Sequence, residues 1–369
     1  MRKGTDTLII ALLILVPACS DSLAARGDAS EKHSVLIAPA LFLHKHSAPG
    51  LKGFTDAMEL ITSNGMTVFG VAHDWKDLEP SPGKFNLHDA LQNPLTHLVP
   101  RYPRIEGVVI VLKMIDTNRR TMPVDIEDRP FDDPVVLHRF DALIDTIAAE
   151  PVSRRITHLL LGNEVDGYLV QHPQEISAFI TFYRRAVNRI HRKMPRVKVS
   201  TIVSFGGLDH PALYNRLAPI SDFITYTYYP ITQQRASAQW RMRPVSEIKA
   251  DIDRMARLAG GKPFAFTEIG YSASSLNGSS ETQQAAFVDE MFRALDSYRR
   301  KGRLAFLLYH ALYDYPTGFC APYANDQGIR PETICGFMEN LGLRRYETGE
   351  PRAAWSVFVQ GAQGWFSEK

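Results

Sequence analysis

The chain has 369 residues, 45% hydrophobic and 22% charged, and its 42 basic and 40 acidic residues leave a formal net charge of +2. This is the composition of a globular protein with a sizeable core. The balanced charge excludes the clustered basic excess of a nucleic-acid binder. The basic pairs Arg184-Arg185 and Arg299-Arg300 fall on helical patterns and read as solvated faces.

Residues 1–19 read as an export signal. Arg2 and Lys3 precede an apolar run from Leu8 to Val16, which is too short for a bilayer span of about 20 residues. The following "VPAC" resembles a bacterial lipoprotein box, in which Cys19 is lipidated and anchors the protein to a membrane. Residues 20–32 then form a flexible polar tether. Ordinary signal-peptidase cleavage after Ala24 is the alternative. Either route predicts a place in the bacterial cell envelope, facing periplasm or cell surface.

From residue 33 to about 360 short β-rich apolar runs alternate with longer amphipathic stretches. The runs are "SVLIAPALF", "TVFGVA", "GVVIVLKMI", "THLLLGN", "VKVSTIV", "DFITYTYY", "PFAFTEI" and "LAFLLYHAL". Between them lie helical patterns such as "PVVLHRFDALIDTIAAE" and "QEISAFITFYRRAVNRIHRKM". "PVSEIKADIDRMARLAG" stops at Gly260-Gly261, and "SETQQAAFVDEMFRALDSYRRKG" starts at Ser279/Ser280 and ends at Gly302. Strands apolar on both faces and separated by helices indicate a parallel sheet. Eight such units predict an α/β protein, a single-domain (β/α)8 TIM barrel. A doubly wound open sheet competes, but the first strand ends without a glycine-rich turn. Residues 361–369 are expected to be a C-terminal tail.

A barrel carries its site at the C-terminal strand ends. Those ends offer His44 and His46, then His73, Asp74 and Trp75, then Lys113 and Asp116. Strand four adds Asn163, Glu164 and Asp166, strand five Ser204, and strand six Tyr226, Tyr228 and Tyr229. Strand seven adds Glu268, followed by Tyr271, and strand eight Tyr309, His310, Tyr313 and Asp314. Glu164 and Glu268 face one mouth from two strands. Two carboxylates across one bond are what glycoside hydrolysis requires.

These residues resemble glycoside hydrolase clan A, the retaining (β/α)8 glycosidases. Asn163-Glu164 is similar to the clan's strand-four Asn-Glu, and "FAFTEIGY" resembles its strand-seven ending. "WKDLEPSPGKFNL" resembles the W-x-x-x-E-P-x-x-G segment after strand two, "ITYTYYP" the strand-six ending, and "GLRRYETGEPRAAWSVF" the closing segment. The Gly-Asn-Glu-Val and Tyr-Tyr-Pro endings also have some likeness to the family 53 endo-galactanases. The resemblance implies cleavage of β-glycosidic bonds in a poly- or oligosaccharide by double displacement. Glu164 would be the acid/base and Glu268 the nucleophile, with Tyr228 or Tyr229 bonding Glu268 and Asn163 holding the sugar 2-hydroxyl. Trp75 and Trp240 are candidate stacking platforms. The clan's strand-eight tryptophan is missing from "LLYHALYDY", and Tyr309 or His310 takes its place.

Cys320 and Cys335 bracket a loop and are expected to pair in an oxidising compartment, stabilising by about 3 kcal/mol. No metal-ligand set stands out, and neither metal nor cofactor is called for. A monomer is expected. The rival function is a catalytically inactive carbohydrate-binding or scaffolding lipoprotein on the same barrel. A barrel enzyme of other chemistry comes third.

Overall fold

In a computed structural model the described residues are 35–367, apart from 42, 49–50, 89–90, 92–93, 235–238 and 322–330. The export signal, Cys19 and the tether lie outside them. Eight parallel strands line up in chain order: β1 Leu36–Pro39, β2 Val68–Asp74, β3 Gly107–Asp116, β4 His158–Asn163, β5 in two pieces (Lys198–Ser200 and Ile202–Ser204), β6 Ile224–Tyr228, β7 Phe264–Ile269 and β8 Leu304–Tyr309. They form two arcs. One runs β2, β3, β4 and the first piece of β5. The other runs from the second piece of β5 through β6, β7 and β8 to β1.

Threonines sit at both joints. At Thr201, between the pieces of β5, the hydroxyl donates to the Leu161 carbonyl at 2.6 Å. At the other joint Thr67 N donates to the Ile37 carbonyl at 2.9 Å, and Ile37 N donates to the Thr67 hydroxyl at 3.3 Å. The arcs thereby close into the expected barrel.

The strands are apolar on both faces because helices cover the outside. Leu159, Leu160 and Leu161 of β4 are fully buried, as are Val109, Ile110 and Leu112 of β3. The outer layer holds α1 Leu51–Ser63, α2 Trp75–Leu78, α3 Pro134–Ala149, α4 Val165–Gln171, α5 Ile176–Lys193, α6 Pro211–Leu217, α7 Ile248–Leu258, α8 Glu281–Arg300 and α10 Ala353–Ser367, while α9 Pro331–Met338 packs at the mouth, with Phe337 against Tyr229 and Trp240.

Helix ends follow local chemistry. Asp133 caps α3 by accepting from Val135 N, with Pro134 at the first turn. Ser280 caps α8 by accepting from Gln283 N. On α5 the buried Phe179, Phe182, Tyr183, Ala186 and Ile190 share the inward stripe. The last helix outruns expectation: α10 continues to Ser367, and Trp365 packs on Phe292 with ring centroids 4.7 Å apart. Residues 361–367 therefore belong to the outer layer, not to a tail, because Trp365 has an apolar partner there.

Candidate active site

The C-terminal end of β4 turns sharply. Gly162 has φ +83°, and a Cβ there would stand 2.4 Å from a Val165 methyl. Two residues on, Glu164 sits in the left-handed region at φ 44°, ψ 49°. A non-glycine residue held there costs on the order of 1–3 kcal/mol. Thr117, on the turn after β3, is left-handed as well, at φ 55°. The two are tied together. Thr117 N donates to the Asn163 carbonyl at 3.0 Å, and the Thr117 hydroxyl to Glu164 Oε2 at 2.9 Å.

The other oxygen of Glu164 reaches across the mouth. Its Oε1 accepts from the Thr227 hydroxyl at 2.5 Å. Thr227 is the lateral partner of Glu268 between β6 and β7. Neighbouring strands lie only about 4.8 Å apart, so the Glu164 carboxyl is brought beside the strand end that carries Glu268. Burial raises the Glu164 pKa most, and the charge of Glu268 raises it further. Asp166 adds to the rise, while the hydroxyls of Thr227 and Thr117 oppose it. The group is held in its protonated form well above the ordinary glutamate range.

Strand parity separates the two candidate tyrosines. Tyr226 and Tyr228 both point outward to α7, with Tyr226 Oη donating to the Met255 carbonyl at 3.0 Å and Tyr228 Oη to Asp251 Oδ2 at 2.7 Å. Thr227 and Tyr229 point inward, and Tyr229 Oη donates to Glu268 Oε2 at 2.6 Å. Tyr228 is fully buried and is not a substrate-binding residue. The same parity corrects Tyr309, whose buried ring packs outward on Phe358 of α10 at 5.6 Å. His310 takes the inward place, edge-on to Tyr229 at 6.1 Å, with Nε2 2.8 Å from Tyr315 Oη. Burial lowers the His310 pKa, so the imidazole is held neutral.

Trp75 is a core residue, not a stacking platform. Its ring is fully buried against Phe140 and Phe182 at 5.0 and 6.4 Å. Its Nε1 donates to Glu79 Oε2 at 2.9 Å. Glu79 Oε1 accepts from Gly83 N at 2.8 Å and from Arg139 Nε at 2.9 Å. The W-x-x-x-E-P-x-x-G segment is thus a structural knot that ties the loop after β2 to α3. Trp240 lies on the hairpin Ile231–Gln234/Gln239–Met242, partly exposed, edge-on to Phe337 at 5.5 Å. Phe337 in turn meets Tyr229 at 5.4 Å, which places Trp240 on the wall beyond Tyr229.

Asn163 Nδ2 donates to Asp116 Oδ1 at 3.1 Å. Lys113 bridges Asp116 and Asp74, 2.9 Å from each. This network holds the Asn163 amide in one orientation. Asp166 turns away from the opening and accepts from Ser204 N and Oγ at 2.8 and 2.6 Å. Cys320 and Cys335 form a disulfide, as expected. Among the described residues the grouping with metal-ligand spacing, Cys320, Cys335 and Glu339, contains that disulfide and is no metal site. Sequence reasoning missed Thr117, Thr227 and Tyr315.

Solved structures share this barrel. An exo-β-1,4-mannosidase, Op5Man5, from Opitutaceae bacterium strain TAV5 superimposes with a TM-score of 0.66 at 18% identity, over 90% of this chain and 60% of that one. Its fold is that of clan A glycoside hydrolases. A GH5_18 protein of Bifidobacterium longum subsp. longum gives a TM-score of 0.67 at 15% identity, over 90% of this chain and 80% of that one. A form of it has been solved with Manβ1-4GlcNAc bound. A β-glucosidase, 1317, gives 0.60 at 16% identity, over 84% of this chain and 87% of that one. The barrel thus spans about 60% of the length of the Opitutaceae enzyme. These neighbours include family 5 proteins; a likeness to family 53 is not among them. No protein-family model matches the chain, and no curated protein matches it.

Proposed function

We propose that this protein is a retaining β-glycosidase acting on a poly- or oligosaccharide. Glu164 is the acid/base and Glu268 the nucleophile. One observation carries the reading: the Glu164 carboxyl, held protonated, rests on the hydroxyl of Thr227, the residue paired beside Glu268. Two carboxyls on different strands converge on one point, and Glu164 holds the proton that a general acid must give.

In the first step a Glu268 oxygen attacks the anomeric carbon while Glu164 gives its proton to the departing glycosidic oxygen. The Tyr229 hydroxyl holds the other oxygen of Glu268. In the second step Glu164, now a carboxylate, takes a proton from water. The water oxygen attacks the anomeric carbon, the bond to Glu268 breaks, and configuration is retained. Asn163, fixed by Asp116, presents its remaining amide atoms to the sugar 2-hydroxyl. Asp74, Lys113 and Asp116 frame that side of the mouth. The Manβ1-4GlcNAc bound to the Bifidobacterium protein makes β-mannosides the first substrates to try. The export signal and Cys19 support an address in the cell envelope on a lipid anchor. A Cys19→Ser chain that still partitions with membranes would sink that address.

The test is a panel of 4-nitrophenyl β-glycosides and β-linked polysaccharides, run on the parent, Glu164→Ala and Glu268→Ala. The parent should cleave at least one, and both variants should lose that activity. Added azide should restore turnover to one variant through a glycosyl azide, because the small anion replaces a missing carboxylate. Cleavage that survives both substitutions would overturn the assignment. Saturable glycan binding without turnover would favour the inactive binding protein.

A further inference from the structure

We propose that Phe319, backed by Tyr315, is a platform on which a β-1,4-linked hexose ring stacks at the mouth. The proposal rests on the glycosidase reading and names the part of the cleft that reads the sugar.

A line of rings runs from the nucleophile to the surface. Tyr229, bonded to Glu268, meets His310 at 6.1 Å, and His310 meets Tyr315 at 5.6 Å. Tyr315 stacks on Phe319 at 4.9 Å with 30° between their planes. Every ring in this line but the last is buried or half-buried. Phe319 is 56% exposed. Among the described residues the ring it stacks on is Tyr315, and more than half of its surface stays open.

The backbone around Phe319 is also fixed more firmly than a surface loop needs. Phe319 N donates to the Pro316 carbonyl at 3.0 Å, and Gly318 N donates to Glu339 Oε1 at 2.7 Å. The next residue, Cys320, is bonded to Cys335 of α9. Tyr315 is held from behind by His310. A ring pinned on both sides loses little freedom when a ligand stacks on it, which favours binding. The C–H face of a hexopyranose is flat and apolar, and it suits an exposed aromatic ring of fixed orientation.

The experiment uses the full-length Glu268→Gln chain, so that ligand is not consumed, and titrates β-1,4-mannotetraose and cellotetraose calorimetrically. At least one should bind. Adding Phe319→Ala should weaken that binding about tenfold, and Phe319→Trp should restore it. The Cys320→Ser/Cys335→Ser chain should lose a similar factor. Phe319 is exposed, so its replacement spares the core, and a melting curve checks this. Unchanged affinity in Phe319→Ala overturns the platform while leaving the glycosidase reading standing. Binding of neither tetraose also overturns it. The glycosidase reading itself is judged separately, by the cleavage panel on the parent.

Discussion

Two glutamates, one after β2 and one after β4, have opposite surroundings. Glu79, after β2, is fully buried and receives the Arg139 guanidinium, the Trp75 indole N–H and a backbone N–H. Glu164, after β4, receives two threonine hydroxyls and stands in the field of Glu268 and Asp166. The first ties a guanidinium, an indole N–H and a backbone N–H together and acts as a rivet. At the second, burial and the charges of Glu268 and Asp166 outweigh the two threonine hydroxyls, so the carboxyl keeps its proton. Both lie in short motifs that look alike on paper. What separates the two glutamates is the sign of the charges beside them.

The largest contrast should come from removing each carboxylate. Glu164→Ala should cut kcat by roughly 10²–10⁴ with the fold intact. Glu79→Ala should remove one of the two carboxylates paired with Arg139, Asp125 remaining, and cost about 1–3 kcal/mol of stability by urea titration, with near-normal activity per folded molecule. A dead but stable Glu79→Ala chain would break the comparison.

Next come the two tyrosines. Tyr229→Phe removes a hydrogen bond to the proposed nucleophile and should lower kcat ten- to a hundredfold, about 1.5–3 kcal/mol. Tyr228→Phe removes a bond of the same kind to Asp251 and should cost stability alone, about 1–3 kcal/mol. Equal kinetic effects from both would refute the parity assignment.

The pH dependence sharpens the point. The folded state holds the Glu164 proton more tightly than the unfolded chain does. The resulting stabilisation is complete below the unfolded value of about 4.3 and is lost as pH rises through the raised folded value. The melting temperature of Glu164→Gln relative to the parent should therefore climb with pH above about 4.3 and then level off. The alkaline limb of kcat should lie above about pH 6. A flat difference in melting temperature would show that Glu164 titrates normally.

The smallest effect is expected for Thr117→Val. The lost hydroxyl favours the ionised form, so the alkaline limb should move upward by a fraction of a pH unit. A downward move would reverse the role given to Thr117.

The barrel was legible because eight apolar runs alternate with helical stretches, and a parallel sheet must be apolar on both faces. Glu164 and Glu268 followed from their positions at strand ends. Parity was not legible, since "YTYYP" reads equally well in either register until one side chain finds its partner on α7. Trp75 was misplaced for a related reason. The Trp-Glu-Gly spacing is the same whether the indole faces a sugar or a phenylalanine cluster. Thr117 and Thr227 were missed because a threonine in a turn or strand carries no signal until a carboxyl is seen to bond it.

The two joints of the barrel have a consequence for the chemistry. Glu164 belongs to the arc that runs from β2 to the first piece of β5, and Glu268 to the arc that runs from the second piece to β1. The Thr227 hydroxyl that reaches Glu164 therefore crosses from one half-barrel to the other. The gap between the two carboxyls is set by how the halves seat against each other at Thr67 and Thr201, as the jaws of a calliper are set by its hinge. Substitutions at those two threonines would be felt as a change in the spacing on which the proposed retention of configuration rests.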